Sequence, residues 1–116
     1  MNLNEVRRIA RDVDAGKRVL VLTRSDLWGH QAQQVRSHTR NHVIARNAVI
    51  GGELFDEDKG EARWVTWRDM RGRTADVLFI DIEHLAGYLD PKVFDTLWRD
   101  AHLVVARGGE IVMGEV

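Results

Sequence analysis

The sequence predicts an α/β fold: a three-layer α/β/α sandwich with a mostly parallel sheet and a short antiparallel hairpin. Three observations predict this class. Residues 3–15 carry apolar side chains at helical spacing, residues 18–23 form a largely continuous apolar run, and residues 76–81 form a second such run that ends in an aspartate. Such runs are typical of strands buried on both faces of a parallel sheet. We expect one domain, residues 1–116, since a chain of this length holds a single core.

The first half of the chain is predicted to contain helix, strand, helix and then a hairpin. Gly16 is placed to end the first helix. Ser25-Asp26 is expected to cap and begin the second helix. Residues 42–46 are predicted to form the next strand. Glu53–Phe55 and Arg63–Trp67 flank an acidic turn, and this pattern predicts the antiparallel hairpin.

The second half of the chain contains a strong helix start. Asp90-Pro91 combines an N-cap carboxylate with a residue whose backbone is pre-set for the first helical turn. An apolar stripe over Val93–Ala101 continues that helix. Leu103–Ala106 and Glu110–Met113, joined across Gly108-Gly109, are predicted to be two closing strands.

The composition excludes several classes of protein. The chain has no cysteine, which excludes a disulfide framework and thiolate metal sites. Apolar runs such as Val19–Leu22 are too short to cross a bilayer, and residues 1–5 lack the regions of a signal peptide. We therefore expect a cytoplasmic protein that does not associate with membranes.

The net charge is −1, which argues against strong nonspecific binding to DNA, but the charges are unevenly spread. No acidic residue lies between Asp26 and Glu53, and residues 63–73 are also rich in arginine. Such asymmetry can create a basic face that binds nucleic acid, although arginines scattered over a solvated surface explain the pattern equally well. The candidate nucleic-acid-binding residues are Arg24, Arg36, Arg40, Arg71 and Arg73.

Two segments carry motif-like sequences. Residues 16–27 are Gly-Lys-Arg-Val-Leu-Val-Leu-Thr-Arg-Ser-Asp-Leu, and residues 71–81 are Arg-Gly-Arg-Thr-Ala-Asp-Val-Leu-Phe-Ile-Asp. The first is similar to the strand and turn after the phosphate-loop helix of superfamily 2 helicases, and the second resembles the approach to the Walker B aspartate of helicases and phage terminase large subunits. The resemblance implies a P-loop-NTPase-like domain, a bacteriophage origin, and contact of Thr23 and Arg24 with a nucleic-acid backbone.

The chain departs from that family in the parts that hydrolyse ATP. A Walker A loop would stand before the helix at 3–15, and no glycine-rich loop with lysine and serine or threonine occurs in the chain. Ile82 stands where the family has its water-orienting glutamate, and strand alternation is expected to turn Glu83 to the opposite side from Asp81. A single carboxylate is not sufficient to catalyse ATP hydrolysis. We therefore expect no ATP hydrolysis, no cofactor, and an interaction protein in place of an enzyme.

Two groups of residues leave alternatives open. Asp81 and Glu83, with His84 beside them, are candidate catalytic residues and metal ligands of a nuclease, or simply a strand end and a helix cap. Trp64 and Trp67 are three apart in a predicted strand, so they should point to opposite faces. They are candidate partner-binding residues, or cover for a sheet edge.

The leading hypothesis is a non-catalytic binding protein that docks a nucleic acid or a protein partner through a basic face. The second is a module that self-associates or binds a host protein, because an unpaired sheet edge can be covered by another chain. The third is a metal-dependent nuclease that uses Asp81 and Glu83.

Overall fold

The structure is a computed structural model that describes residues 1–40, 43–46, 53–56, 60–85 and 90–114. Its helices are α1 (Leu3–Asp14), α2 (Trp28–Arg36), α3 (Trp67–Met70), α4 (Ile82–Leu85) and α5 (Pro91–Val104). Its strands are β1 (Arg18–Leu22), β2 (Val43–Arg46), β3 (Glu53–Asp56), β4 (Glu61–Val65), β5 (Ala75–Ile80) and β6 (Val105–Met113). None of the described helices combines the length and apolarity that a membrane span requires.

The strands form one sheet in the order β2-β3-β4-β1-β5-β6. Strands β4, β1, β5 and β6 run parallel to one another, so the predicted α/β class with a mostly parallel sheet is confirmed. Strand β3 pairs antiparallel with β2 and with β4. Strands β3 and β4 flank the acidic turn, whose residues 57–59 lie outside the described part of the chain.

Alternating side chains of the parallel strands fill two separate cores, which gives the three layers. In β1, Val19 and Val21 face α1 and α2, whereas Leu20 and Leu22 face the layer of α3, α4 and α5. Strand β5 divides in the same way, and all four of its residues from Val77 to Ile80 are buried. The unbroken apolar runs of the sequence therefore arise from burial on both faces.

Side-chain caps begin the two longest helices. Asn2 Oδ1 accepts a hydrogen bond of 2.9 Å from the Glu5 amide at the start of α1. Asp90 Oδ1 accepts one of 2.9 Å from the Val93 amide, with Pro91 as the first residue of α5. The helix start predicted at Asp90-Pro91 is confirmed.

One prediction about a helix start and one about the end of a strand are wrong in detail. Ser25 caps no helix with its side chain; a 3-10 turn, Ser25–Leu27, comes first and α2 begins at Trp28. Trp67 is the first residue of α3 and does not belong to a strand. The cause is local, because the Thr66 hydroxyl accepts a hydrogen bond from the Asp69 amide and so caps a helix directly after β4.

The two closing strands predicted at Leu103–Ala106 and Glu110–Met113 are one strand, β6. Helix α5 runs on to Val104, because Leu97, Ala101 and Val104 continue one buried stripe. The two glycines do not make a turn. The β5–β6 register is irregular between the pairs Ala75–Val105 and Val77–Glu110, and the two glycines are therefore extra residues within one continuous strand.

Candidate functional site

The position outside the carboxyl ends of β1 and β5, which we call the crevice, is of the kind that binds ligands in α/β proteins. The two strands are parallel neighbours. The helix that follows β1, α2, packs on one face of the sheet, and α4, which follows β5, packs on the other. Ligands of open α/β sheets bind at such switch points, outside the carboxyl ends of the strands.

Asp81 lies in this crevice directly after β5 and is only 1% exposed. Its Oδ2 atom accepts hydrogen bonds from Thr23 Oγ1 at 2.9 Å and from Gln31 Nε2 at 2.8 Å. His84 Nδ1 lies 2.8 Å from the same oxygen. A buried carboxylate costs much free energy unless donors compensate it. The Thr23 and Gln31 donors compensate it.

A tryptophan completes the network. Trp64 is 3% exposed and donates its indole N–H to Gln31 Oε1 at 3.1 Å, which fixes the orientation of the Gln31 amide. Trp64 therefore supports Asp81 through Gln31 and presents no surface to a partner. Gln31 was not predicted as a site residue from the sequence. A polar side chain on the apolar stripe of α2 nevertheless indicates a residue that forms hydrogen bonds inside the core.

Glu83 and His84 lie on the same side as Asp81. One ligand atom from each of the three residues lies within 4.8 Å of the others. Strand alternation is therefore the wrong guide for Glu83, because the backbone turns into α4 directly after Asp81. The Asp81 side chain accepts from other side chains, while its backbone carbonyl accepts from the His84 and Leu85 amides.

The predicted nucleic-acid-binding arginines are mostly paired with acids. Arg24 Nη2 lies 2.9 Å from Asp26 Oδ2, and Arg40 Nε lies 3.3 Å from Asp14 Oδ1. Arg71 also forms an ion pair. Arg36 is exposed at the end of α2. Ion pairing to acids from the same chain reduces the charge that these arginines offer to a phosphate backbone.

The five arginines do not share one face. Arg24 follows the carboxyl end of β1, whereas Arg71 and Arg73 precede the amino end of the parallel neighbour β5. Arg40 contacts Asp14 at the end of α1, which also lies at the amino end of the sheet but on the opposite layer from Arg71. Arg71 and Arg73 lie close together, and Arg36 and Arg40 flank one turn after α2, in which the Thr39 amide donates to the Arg36 carbonyl.

Trp67 is the first residue of α3, is half-buried and packs on the core layer that contains α5. Its indole N–H donates to Asp100 Oδ2 at 2.7 Å, and the Arg71 guanidinium lies 5.5 Å from the centre of its ring. This tryptophan holds Arg71 and α5 in place.

The outer edge of β6 is the second feature of functional interest. Among the described residues, β6 pairs with β5 and has no strand on its other side. The Gly114 amide donates to the Ile80 carbonyl at 2.8 Å. Because ladder bonds alternate along a strand, the polar backbone groups of Val112 also face β5, and those of Ile111 and Met113 point outward.

Comparison of the chain with protein-family models, with curated proteins and with solved structures finds no match. The geometry of the described residues therefore carries the functional conclusions.

Proposed function

We propose that this chain is a non-catalytic binding protein that docks a polypeptide strand at the outer edge of β6, and that this strand is β6 of a second copy. The observation that carries the proposal is the outward direction of the Ile111 and Met113 backbone groups on a nine-residue edge strand. Such an edge is a template for another strand.

The last three residues of β6, 111–113, lack the usual protection of an edge, whereas Arg107, Glu110 and the register irregularity lie before them. Short length, lysine and proline keep edge strands from pairing, and residues 105–113 contain neither lysine nor proline. Apolar side chains surround the edge. Met113 is 41% exposed and Trp98 36% exposed. A cavity of about 490 Å³, lined in part by Trp98, Val105 and Ile111, lies between α5 and β6 and can receive a side chain of a docked strand.

A second copy fits this edge by symmetry. A two-fold axis perpendicular to the sheet pairs two β6 strands antiparallel, so the same contact satisfies both edges at once. With a net charge of −1, two copies repel each other little. The docking does not depend on a P-loop-NTPase-like origin, which remains a proposal from the sequence alone.

The absence of catalysis is supported by the state of Asp81. Three side chains contact its Oδ2 atom, so this oxygen stabilises the buried network of Thr23, Gln31 and His84. Together with Ile82 in the place of a water-orienting glutamate, this favours a binding role over ATP hydrolysis.

Proline at position 113 is expected to dissociate the pair. The Met113 N–H points away from β5, so Met113→Pro leaves the β5–β6 ladder intact but removes one intermolecular donor from each copy. The removal of two hydrogen bonds should weaken association by about tenfold or more. Sedimentation velocity of the full chain measures this, with Met113→Ala as the control that removes the side chain but keeps the donor. A strict monomer at every concentration contradicts the proposal, as does equal dissociation of the two variants.

A metal-dependent nuclease is the second candidate, favoured by one observation. Ligand atoms of Asp81, Glu83 and His84 converge within 4.8 Å at the carboxyl ends of the strands. Carboxylate oxygens suit Mg²⁺ or Mn²⁺, which would activate water for attack on a phosphodiester. The crowded Oδ2 atom of Asp81 argues against it.

Incubation with supercoiled plasmid separates the two candidates. The binding account predicts no cleavage above background with Mg²⁺ or Mn²⁺. The nuclease candidate predicts metal-dependent nicking that is abolished in Asp81→Asn and in Glu83→Gln, and nicking that survives in both variants excludes these residues as its centre.

A further inference from the structure

A surface cavity of about 570 Å³ lies at the amino end of β5, between the turn that precedes this strand and the last turns of α5. Its lining includes Arg71, Arg73, Thr74, Asp100 and Leu103, and we call it the arginine pocket. It is separate from the Asp81 crevice, which lies at the opposite end of β5.

Each of the two arginines in the pocket makes its hydrogen bond through its Nε atom only. Arg71 Nε donates to Asp100 Oδ2 at 3.1 Å, and Arg73 Nε donates to the Asp69 carbonyl at 2.9 Å. Within the described part of the chain, their terminal nitrogens make no hydrogen bond. A guanidinium fixed at Nε presents two parallel donors, the arrangement that pairs with two oxygens of a phosphate.

The charge of the pocket is positive. Its acid, Asp100, already receives hydrogen bonds from Trp67 and Arg71. Arg18 brings a further cation to the rim, where its Nη1 lies 3.5 Å from Thr74 Oγ1. An anion in the pocket therefore meets two lining cations, Arg71 and Arg73, and one lining carboxylate, with Arg18 beside Thr74.

An apolar surface adjoins these cations. Leu103 is 82% exposed, although its neighbour Val104 on α5 is buried. An exposed leucine beside two guanidinium groups suits a ligand that carries an apolar ring next to a phosphate, because the ring covers the leucine while the guanidinium groups pair with the phosphate. Nucleotides of a single strand have this chemistry, whereas a duplex keeps its bases stacked inside.

We propose that the arginine pocket binds one nucleotide unit of a single-stranded nucleic acid, with the phosphate on Arg71 and Arg73 and the base against Leu103. The site is independent of the β6 edge, and the failure of either proposal leaves the other standing.

The test is fluorescence anisotropy of a labelled, mixed-sequence single-stranded DNA oligonucleotide with the full chain, at low and at increasing salt. Arg71→Gln with Arg73→Gln should weaken binding by about tenfold or more and lower the magnitude of the salt slope by about 0.7, the value for one phosphate contact of a single strand. The matched control is Arg7→Gln with Arg11→Gln, which removes the same charge from exposed positions of α1. Arg73→Gln alone keeps the Arg71–Asp100 contact intact, so a loss of affinity in this variant cannot come from misfolding of α5.

Leu103→Ala should also weaken binding without loss of the salt dependence, because it removes an apolar contact and no charge. Equal losses in the two double variants would reduce the binding to general electrostatics and overturn the site. Undetectable binding at low salt would overturn it as well. Tighter binding of a phosphoserine peptide than of the oligonucleotide would overturn the assignment to nucleic acid.

Discussion

Replacement of Asp81 by alanine is expected to lower the free energy of unfolding by about 3–5 kcal/mol. The Asp81 carboxylate is 1% exposed and lies within hydrogen-bonding distance of the side chains of Thr23, Gln31 and His84. Its removal leaves the Thr23 hydroxyl and the Gln31 amide buried without an acceptor, at about 1–3 kcal/mol each. Urea unfolding of the variant and of the native chain, with a common slope, measures the loss.

Asp76→Ala is the matched control for this prediction. Asp76 lies on β5, the strand that Asp81 follows, but is exposed, and its Oδ2 accepts one hydrogen bond from the Arg18 amide. We expect it to cost about 1 kcal/mol. An Asp81→Ala chain as stable as the native one, or more stable, would contradict the structural role of Asp81. That outcome is typical of a carboxylate retained for ligand binding at the expense of stability.

Gly60→Ala is expected to cost about 3 kcal/mol, the upper end for overpacking. A Cβ atom at Gly60 would lie 1.8 Å from the Val13 carbonyl oxygen and 2.8 Å from its carbon. Both are backbone atoms at the end of α1, so no side-chain rotation can relieve the contact. The neighbouring hydrogen bond of 3.0 Å from the Glu61 amide to the Lys17 carbonyl would be strained, because the added Cβ pushes these two segments of the chain apart.

Gly72→Ala tests the effect of backbone conformation alone, whereas Gly60→Ala tests the effect of steric contact. Gly72 has φ of +79°, and a Cβ there meets nothing within 4 Å. Its replacement should cost about 1–2 kcal/mol from backbone strain alone. Thermal and urea unfolding of both variants check the order of the two losses. Equal losses would show that close approach of α1 to β4 does not constrain position 60.

The layers of this fold could be predicted because burial on both faces leaves a direct trace in the sequence. Residues 18–22 and 75–80 are largely apolar runs, and each is a central strand. The single strand β6 could not be predicted, since Gly108-Gly109 has the same composition as a turn. Only pairing with β5, which tolerates an irregular register, keeps the strand continuous.

The candidate site was predicted only in part, for a reason of sequence distance. Asp81 was recognisable as a carboxylate at the end of a buried strand. Its partners Thr23 and Gln31 lie 58 and 50 residues away, and their approach depends on the strand order. The same holds for Arg40, whose acidic partner Asp14 lies 26 residues away, so this ion pair could not be predicted from the basic stretch of sequence.

Amide hydrogen exchange along β6, followed by NMR at rising protein concentration, tests the docking of two β6 edges most directly. The amides of Ile111 and Met113 should become protected as the concentration rises, because their N–H groups then bond to the second copy. The Val112 amide should be protected throughout by its bond to β5. Exchange at Ile111 and Met113 that stays fast and independent of concentration would contradict the account.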